Sequence, residues 1–449
     1  MSDMIKKGVH GCSQEDSYVV PADPLIRERL EWFRDQKLAL MMHFGLYSQI
    51  GFCESWPLSE EASWARSEAD WVDNIDDFRQ QYVNLNKSFN PIRIQPEKWA
   101  EFAAENGFKY LIFTTKHHDG FCLFDTKYTD YKTTSPDCPF HTHKHANIAK
   151  SVFDAFRDKG LAIAAYFSKP DWNCPWYWAK DMDKPWGFDH NPTYNPSEHP
   201  ELWEKYVEFT HNQMMELIEE YGRIDVLWLD GGQVNPANGQ DIRLSELVKK
   251  ARKIQPWLIT ADRTVGGENE NYITPEQSIP DRIINVPWES CVTLGNKWGF
   301  SYDGIYKSSR EIITMLIDVV SCGGNLALNI GPQPDGRLPE QAMKIVKGFG
   351  DWLKINGDAI YGTRATDTAQ IGNVRYTKKG DTLYALLPLA EGEMLSETVF
   401  IPTEKKINQI SCLGHDQPLS FENVEGGVVA TLPSDLVGTD PYAVAFALT

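Results

Sequence analysis

Short apolar runs rich in β-branched and aromatic residues recur through the N-terminal part of the chain. The clearest runs span 38–45, 110–118, 162–168, 225–231 and 258–263. Between them lie segments with the period of an amphipathic helix, at 96–106, 147–159 and 202–221. The alternation predicts repeated βα units, and the continuous hydrophobicity of the runs predicts strands that are covered on both faces.

Polar residues that could take part in a reaction lie where the predicted strands end. They are His43, His117, His118, Tyr166, Asp230 and Arg263. The carboxyl ends of parallel strands meet at one face, where a site forms in a closed barrel and also in an open doubly wound sheet. The number and length of the strands favour a (β/α)8-like TIM barrel over the open sheet.

The C-terminal part of the chain has a different pattern. Residues 366–449 contain short alternating strands separated by Gly, Asp and Pro turns, which predicts a small antiparallel β-sandwich. Just before it, 341–362 has the pattern of a last barrel helix, and the apolar stretch within 323–332 predicts a buried strand between turns. We therefore expect a barrel domain with an N-terminal extension over 1–362 and a sandwich domain over 363–449, packed directly together.

Composition and charge narrow the function classes. The chain has 44 Lys and Arg against 63 Asp and Glu, and this net charge of −19 opposes binding to nucleic acid or to an anionic membrane. With 15 Trp, 18 Tyr and 21 Phe, the chain has more aromatic side chains than a core needs, and the rest can form flat surfaces for a ligand.

The N-terminal sequence and the cysteines predict a compartment. The first residues contain no apolar run of signal-peptide length, and no segment has the length and hydrophobicity of a membrane span. The eight cysteines are scattered without CxxC pairs, as is usual for reduced thiols. We expect a cytoplasmic protein without a cofactor. The sequence is compatible with a homo-oligomer but does not predict one.

The adjacent His117 and His118 follow a strand directly, so at least one of them should face the site. One alternative is a pair satisfied by local backbone bonds. Another is a metallohydrolase centre, to which His43 and Asp230 could add ligands. No HxH pair ends the first strand, however, and aromatic residues crowd every candidate loop.

Asp230 closes an apolar strand and is followed by two glycines. A carboxylate at such a place either caps the next turn or serves a reaction, and the Gly-Gly pair would allow a close approach by a substrate. A second carboxyl group that can hold a proton would complete an acid and nucleophile pair. Glu276 and Glu289 are the candidates. Trp56, Trp288 and Trp298 could form an apolar wall beside them.

Four segments stand out between about Trp32 and Gly362, namely WFRDQKLALMMHFGLYS, TTKHHDGFCLFDTKYTDYKT, IDVLWLDGG and GGNLALNIGPQPDGRLPEQ. Together and in this order they resemble glycoside hydrolase family 29, the α-L-fucosidases. The resemblance implies a (β/α) barrel with a C-terminal β-sandwich, and a metal-free, retaining, exo-acting hydrolysis of terminal α-L-fucosyl residues from fucosylated oligosaccharides or glycoconjugates.

The resemblance also implies roles for particular residues. Asp230 matches the family's nucleophile, and His43, His117 and His118 match residues that bind fucose hydroxyls. Further matches to the sugar pocket are Tyr166, Arg263, Trp56 and Glu54. Both Glu276 and Glu289 resemble the acid/base of some members, and we favour Glu276 slightly. A non-catalytic sugar-binding protein that keeps the pocket is the alternative from another class.

Overall fold

Seven parallel strands form the largest sheet in the described part of the chain. The computed structural model describes residues 5–66, 72, 74–182 and 190–449. Within them the strands of the N-terminal part are β1 (Lys6–Lys7), β2 (Leu38–Met42), β3 (Tyr110–Lys116), β4 (Ala162–Ser168), β5 (Val226–Asp230), β6 (Ile259–Asp262), β7 (Ser278–Ile279), β8 (Glu289–Thr293) and β9 (Asn325–Asn329). The large sheet has the order β6-β5-β4-β3-β2-β9-β8. The five strands predicted most clearly, and the strand predicted within 323–332, are confirmed.

An irregular segment, residues 269–279, fills the gap between the two edge strands β6 and β8. Against β6, the amide of Asn271 donates to the carbonyl of Thr260 at 2.9 Å. Against β8, the amide of Gln277 donates to the carbonyl of Cys291 at 2.9 Å. This closing segment takes the place of one strand, so the sheet closes on itself as the TIM-like barrel that the sequence predicts.

Alternate side chains of each barrel strand belong to two different cores. In β2, Ala39 and Met41 join the barrel interior, where Phe33 from the first helix stacks on Tyr272 with ring centroids 4.2 Å apart. Leu40 of the same strand faces the surrounding helices. Both faces of the strands are therefore buried, as their continuous hydrophobicity predicts.

The helices begin and end at recognisable sequence signals. Asp23 caps α1 and the Leu25 amide donates to its side chain, while a Ser308–Glu311 capping box starts α8. The helices are α1 (Pro24–Gln36), α2 (Tyr47–Ile50), α3 (Ile75–Val83), α4 (Pro96–Glu105), α5 (Ile148–Asp158), α6 (Pro200–Glu220), α7 (Leu244–Ile254), α8 (Ser309–Ser321) and α9 (Glu340–Asn356). The predicted helices at 96–106, 147–159, 202–221 and 341–362 correspond to α4, α5, α6 and α9.

The C-terminal strands form two antiparallel sheets, as predicted. They are β10 (Arg364–Ile371), β11 (Val374–Lys379), β12 (Thr382–Pro388), β13 (Thr398–Pro402), β14 (Ile410–Cys412), β15 (Phe421–Val424), β16 (Gly427–Thr431) and β17 (Ala443–Leu448). One sheet has the order β10-β11-β12-β17-β14 and the other β13-β16-β15. The sandwich packs directly on the barrel, where Trp352 donates its indole N–H to the carbonyl of Ala443 at 2.8 Å. The domain boundary after residue 362 stays a prediction.

Candidate active site

A pocket of about 190 Å³ opens at the carboxyl ends of the barrel strands. Most of the predicted site residues line it, namely His43, Glu54, Trp56, His117, His118, Tyr166, Asp230, Arg263, Glu276 and Trp298. Its volume is below the ~300–1,000 Å³ of pockets for drug-sized ligands. The pocket therefore fits one small ring better than a chain of several.

Asp230 is the last residue of β5, and the backbone behind it is built around two glycines. Gly231 has φ +88°, and a Cβ there would lie 2.2 Å from Cδ of Pro170. A Cβ on Gly232 would lie 1.8 Å from Oγ1 of Thr264. The glycines are thus required by neighbouring protein atoms, in addition to any substrate approach that the sequence suggests.

Two hydrogen bonds hold the carboxylate of Asp230. Arg263 donates from Nη1 to Oδ1 at 2.8 Å, and Tyr166 donates from its hydroxyl to Oδ2 at 2.6 Å. His118 Nε2 lies 3.7 Å from Oδ2. Burial alone would raise the pKa of Asp230, but Arg263, His118 and the Tyr166 hydroxyl together hold this pKa well below its usual range. Asp230 is therefore an anion at neutral pH.

Arg263 joins Asp230 to a second carboxylate, that of Glu276. Its Nη2 donates to Oε2 of Glu276 at 2.5 Å, and its Nε donates to Oγ1 of Thr274 at 3.0 Å. The face of the guanidinium lies 4.5 Å from the ring centre of Trp228. One fixed, planar group thereby brings both carboxylates to the pocket. The side chain of Glu276 is 37% exposed, so it also reaches the pocket mouth.

Glu289, the other predicted acid, lies outside the pocket. It begins β8 with no exposed surface, and its carboxylate accepts hydrogen bonds from Tyr110, Trp228 and Tyr272. Burial raises the pKa of Glu289 to about 7 in spite of these donors. The structure thus brings Glu276 to Asp230 and leaves Glu289 in the barrel interior behind Trp228.

Asn329, the last residue of β9, orients His43. Its Nδ2 donates to the carbonyl of Trp298 at 2.6 Å, so its Oδ1 is free to accept from Nδ1 of His43 at 2.8 Å. Burial lowers the pKa of His43 to about 4, so the ring is neutral at neutral pH. With the proton on Nδ1, His43 offers Nε2 to the pocket as an acceptor.

Ser55 has the corresponding role for His117. Its Oγ accepts from the amide of Asp119 at 3.1 Å and lies 2.5 Å from Nδ1 of His117. When Ser55 donates its own proton to Nδ1, the neutral His117 ring carries its proton on Nε2 and is a donor. Burial lowers the pKa of His117 well below its usual value and that of His118 to about 4. One neutral histidine ring therefore offers the pocket a hydrogen-bond acceptor, and another offers a donor.

Glu54 and the aromatic residues complete the walls. Glu54 has an unusual φ of +37°, and its Oε1 accepts from the amide of Gly299 at 2.6 Å. The Trp56 ring meets His118 edge to face at 5.3 Å, and the Trp298 ring lies 5.1 Å from His43. Trp288 does not line the pocket; it is buried against the backbone of Gly324.

Among the described residues, one group of side chains has the spacing of a metal site. The ligand atoms of His117, His118 and Asp230 lie within 4.8 Å of one another. Both oxygens of Asp230, however, accept hydrogen bonds, and the Arg263 guanidinium beside them repels a cation. The group therefore fits a neutral hydroxyl better than a metal ion.

Sequence reasoning missed several residues of this pocket. Ser55 and Asn329 set the proton positions of two histidines, and Met41, Cys291 and Trp228 line the floor. Asn329 closes an apolar strand in the same way as Asp230, so the same pattern could have found it. No comparable sequence signal marks Ser55.

A carboxylate that stays ionised, a second carboxylate beside it, and neutral donors and acceptors for hydroxyls are what hydrolysis of a glycosidic bond requires. At the mouth of a barrel, this arrangement defines the class of a glycoside hydrolase. A family model described as alpha-L-fucosidase matches residues 9–358. The chain belongs to this family, glycoside hydrolase family 29, and it is a hydrolase that acts on α-L-fucosyl groups.

Relatives and solved structures agree with the family. The chain is 27% identical to an alpha-L-fucosidase of Branchiostoma floridae, over 90% of this chain and 88% of the relative. It is 25% identical to the plasma alpha-L-fucosidase of Homo sapiens, over 94% and 90%. The structure of alpha-L-fucosidase isoenzyme 1 from Paenibacillus thiaminolyticus superposes with a TM-score of 0.77 at 27% identity, covering 95% of this chain and 99% of that one. The Thermotoga maritima alpha-fucosidase, solved with a mechanism-based inhibitor, has a TM-score of 0.75 at 26% identity, covering 96% and 100%.

Proposed function

We propose that this enzyme is an exo-acting, retaining α-L-fucosidase that works by double displacement, with Asp230 as nucleophile and Glu276 as acid/base. The observation that carries the proposal is the shared guanidinium of Arg263, which contacts Oδ1 of Asp230 at 2.8 Å and Oε2 of Glu276 at 2.5 Å. Two carboxylates on one guanidinium lie close together, which supports a retaining pair with its separation of about 5–5.5 Å.

In the first displacement, Oδ1 or Oδ2 of Asp230 attacks the anomeric carbon of a terminal α-L-fucosyl unit. The bond to the glycosidic oxygen breaks, and this oxygen takes a proton from Glu276. The product is a β-fucosyl ester on Asp230. The low pKa of Asp230 supports its role, because the group is fully ionised and surrounded by fixed donors.

The acid has one oxygen free for this transfer. The bond from Arg263 occupies Oε2 of Glu276, and within the described part of the chain Oε1 accepts no hydrogen bond. Oε1 is therefore the atom that would give the proton to the leaving oxygen. In the second displacement Glu276 takes a proton from water, which attacks the ester and releases α-L-fucose.

The neutral histidines would bind the sugar hydroxyls. His43 accepts a hydroxyl proton at Nε2, and His117 donates from Nε2, so one hydroxyl group can bind to both with its own donor and acceptor. The bond that the sugar hydroxyl donates to His43 strengthens as positive charge develops at the ring, because the hydroxyl becomes more acidic, and it stabilises the transition state. Trp56 and Trp298 offer apolar surface for the methyl group of a deoxysugar.

The small pocket supports exo action on terminal fucosyl residues of oligosaccharides or glycoconjugates, because a volume of about 190 Å³ leaves the rest of the glycan outside. We also propose a cytoplasmic location. It is supported by the cysteines, all eight of which are free thiols. No helix in the described ranges has the length and hydrophobicity to cross a membrane.

The proposal is tested by trapping the intermediate. A 2-deoxy-2-fluoro-α-L-fucosyl donor with a good leaving group should inactivate the enzyme and add one fluorofucosyl group to the peptide that contains Asp230. In a parallel NMR experiment, the first fucose released from an aryl fucoside should be the α anomer. Label on another residue, or β-fucose as first product, would overturn the mechanism. The Asp416→Asn variant changes an exposed aspartate of the sandwich, and as control it should label normally.

A further inference from the structure

The N-terminal residues 6–18, which we call the N-terminal strap, run along the barrel's closing segment. The amide of Lys6 donates to the carbonyl of Gln277 at 2.8 Å, and the amide of Gly8 donates to the carbonyl of Ile279 at 2.9 Å. β1 and β7 thereby pair in parallel. On its other edge the closing segment pairs with β8, so the strap replaces a neighbouring strand that the barrel lacks there.

The strap touches Glu276 itself. The amide of Glu276 donates to the carbonyl of His10 at 3.0 Å. The next strap residue, Gly11, has φ +65°, and a Cβ there would lie 3.0 Å from Cβ of Glu276 and 3.6 Å from its backbone nitrogen. The backbone of residue 11 therefore packs directly against the base of the Glu276 side chain, and a methyl group there would require Glu276 to shift by a few tenths of an ångström.

A second anchor holds the loop that leads from Arg263 to Glu276. Ser13 donates to Oε2 of Glu270 at 2.6 Å, and the same carboxylate accepts from the amide of Gly266 at 2.6 Å. Farther along the strap, the amide of Gly267 donates to the carbonyl of Ser17 at 3.3 Å. The loop is thus fixed to the strap at several points between its two functional residues.

The closing segment needs such support because its own backbone is irregular. Gln277, the residue after Glu276, has φ +45°, a conformation that costs a residue with a side chain about 1–3 kcal/mol. Its side chain is held by a bond from Nε2 to Oγ1 of Thr293 at 2.9 Å. Without the strap, the backbone at Glu276 would keep bonds on one edge only and could relax away from the pocket.

We propose that the N-terminal strap positions Glu276 for proton transfer, and that Gly11 is a positioning residue for the reaction. This inference rests on the proposed function, in which Glu276 is the acid/base. General acid catalysis contributes about 10²–10⁴-fold, and a misplacement of the reacting group by about an ångström can cost about 10²-fold. Displacement of the strap at residue 11 should therefore remove part of the rate enhancement that the acid provides.

The test compares leaving groups. For Gly11→Ala we expect kcat/KM to fall at least about tenfold on an alkyl fucoside, which needs the acid, and less than about threefold on 2,4-dinitrophenyl fucoside, which does not. Gly160→Ala is the matched control, because Gly160 has φ +77° and open space around it. This control has the same backbone strain without contact to Glu276, and should show no dependence on the leaving group.

Two further variants separate the possible outcomes. Lys6→Pro removes the N–H that binds Gln277 and should show the same dependence on the leaving group as Gly11→Ala. Lys6→Ala keeps this N–H and should show no such dependence. If Gly11→Ala fails to fold, the two Lys6 variants test the role of the strap by themselves. An equal loss on both substrates in the strap variants would overturn the inference. If Glu276→Ala itself lacks leaving-group dependence, the assignment of the acid fails, and the inference fails with it.

Discussion

The hydroxyl of Tyr166 donates to Oδ2 of Asp230 across 2.6 Å, and both side chains line the same pocket. Tyr166 is the third-last residue of β4 and Asp230 is the last residue of β5, and the register of the two strands sets Ser168 opposite Asp230. The bond is therefore built into the barrel rather than into a loop. It keeps one oxygen of Asp230 oriented while Arg263 holds the other.

Replacement of Tyr166 by Phe removes this bond and leaves the ring in place. Because a hydrogen bond to a charged group contributes about 1.5–3 kcal/mol, we expect kcat/KM on an aryl fucoside to fall about 10- to 100-fold. The Tyr166 hydroxyl lowers the pKa of Asp230, so its loss should move the acidic limb of the pH–rate profile to higher pH. A profile and rate like those of the unchanged enzyme would show that the bond has no part in catalysis.

Azide should separate the two candidate acids. In Glu276→Ala, we expect azide to restore turnover of an aryl fucoside with a good leaving group. Azide takes the place of water on the fucosyl ester and needs no base, so the product is α-fucosyl azide. In an Asp230→Ala variant azide would replace the nucleophile and give the β azide. Glu289→Ala should show no rescue, because Glu289 is buried outside the pocket. Rescue of Glu289→Ala alone would reverse the assignment.

Removal of metal ions should leave the enzyme active. The Arg263 guanidinium occupies the charged edge of Asp230, where a bound cation would be repelled. After dialysis against EDTA we expect kcat and KM to stay within about twofold of the untreated values, with no stoichiometric metal in elemental analysis. Loss of activity that returns with zinc would instead favour a metal centre on His117, His118 and Asp230.

Strand-end patterns allowed much of the site to be predicted from the sequence. His43 and Asp230 lie at or just after the end of a buried strand, Tyr166 lies two residues before the end of β4, and parallel strands bring their carboxyl ends together. The alternation of side chains along a strand required only one of His117 and His118 to face the pocket. Both reach it, because β3 ends at Lys116 and the chain turns there.

The sequence could not decide which of Glu276 and Glu289 reaches Asp230, because both belong to the same stretch of chain and differ only in how that stretch folds. Glu276 lies on the irregular closing segment, whose path depends on the distant residues His10 and Gly11. Glu289 begins β8, and this strand could not be recognised in the sequence because it contains the polar or small residues Ser, Cys and Thr. Long-range pairing decides both positions, and no local pattern encodes it.

Glu289 should make the stability of the fold depend on pH. Burial raises the pKa of Glu289 to about 7, above the ~4.3 of an exposed glutamate in the unfolded chain. At low pH both states hold the proton and the full stability is present. As pH rises, the unfolded state loses its proton first, so the contribution of Glu289 to the free energy of unfolding falls between about pH 4 and pH 7, by ~4 kcal/mol.

The Glu289→Gln variant keeps the shape of the side chain and removes the titration. We expect its free energy of unfolding to match that of the unchanged enzyme at about pH 5 within ~1 kcal/mol, and to exceed it at about pH 8 by up to ~4 kcal/mol. Urea unfolding followed by tryptophan fluorescence at both pH values measures the difference. Glu425→Gln, at an exposed turn of the sandwich, is the control and should change neither value. If Glu289→Gln and the unchanged enzyme lose stability equally from pH 5 to pH 8, Glu289 does not hold its proton in the fold. A different buried carboxyl would then have to account for the pH dependence, such as that of Glu54, whose pKa burial raises to about 7.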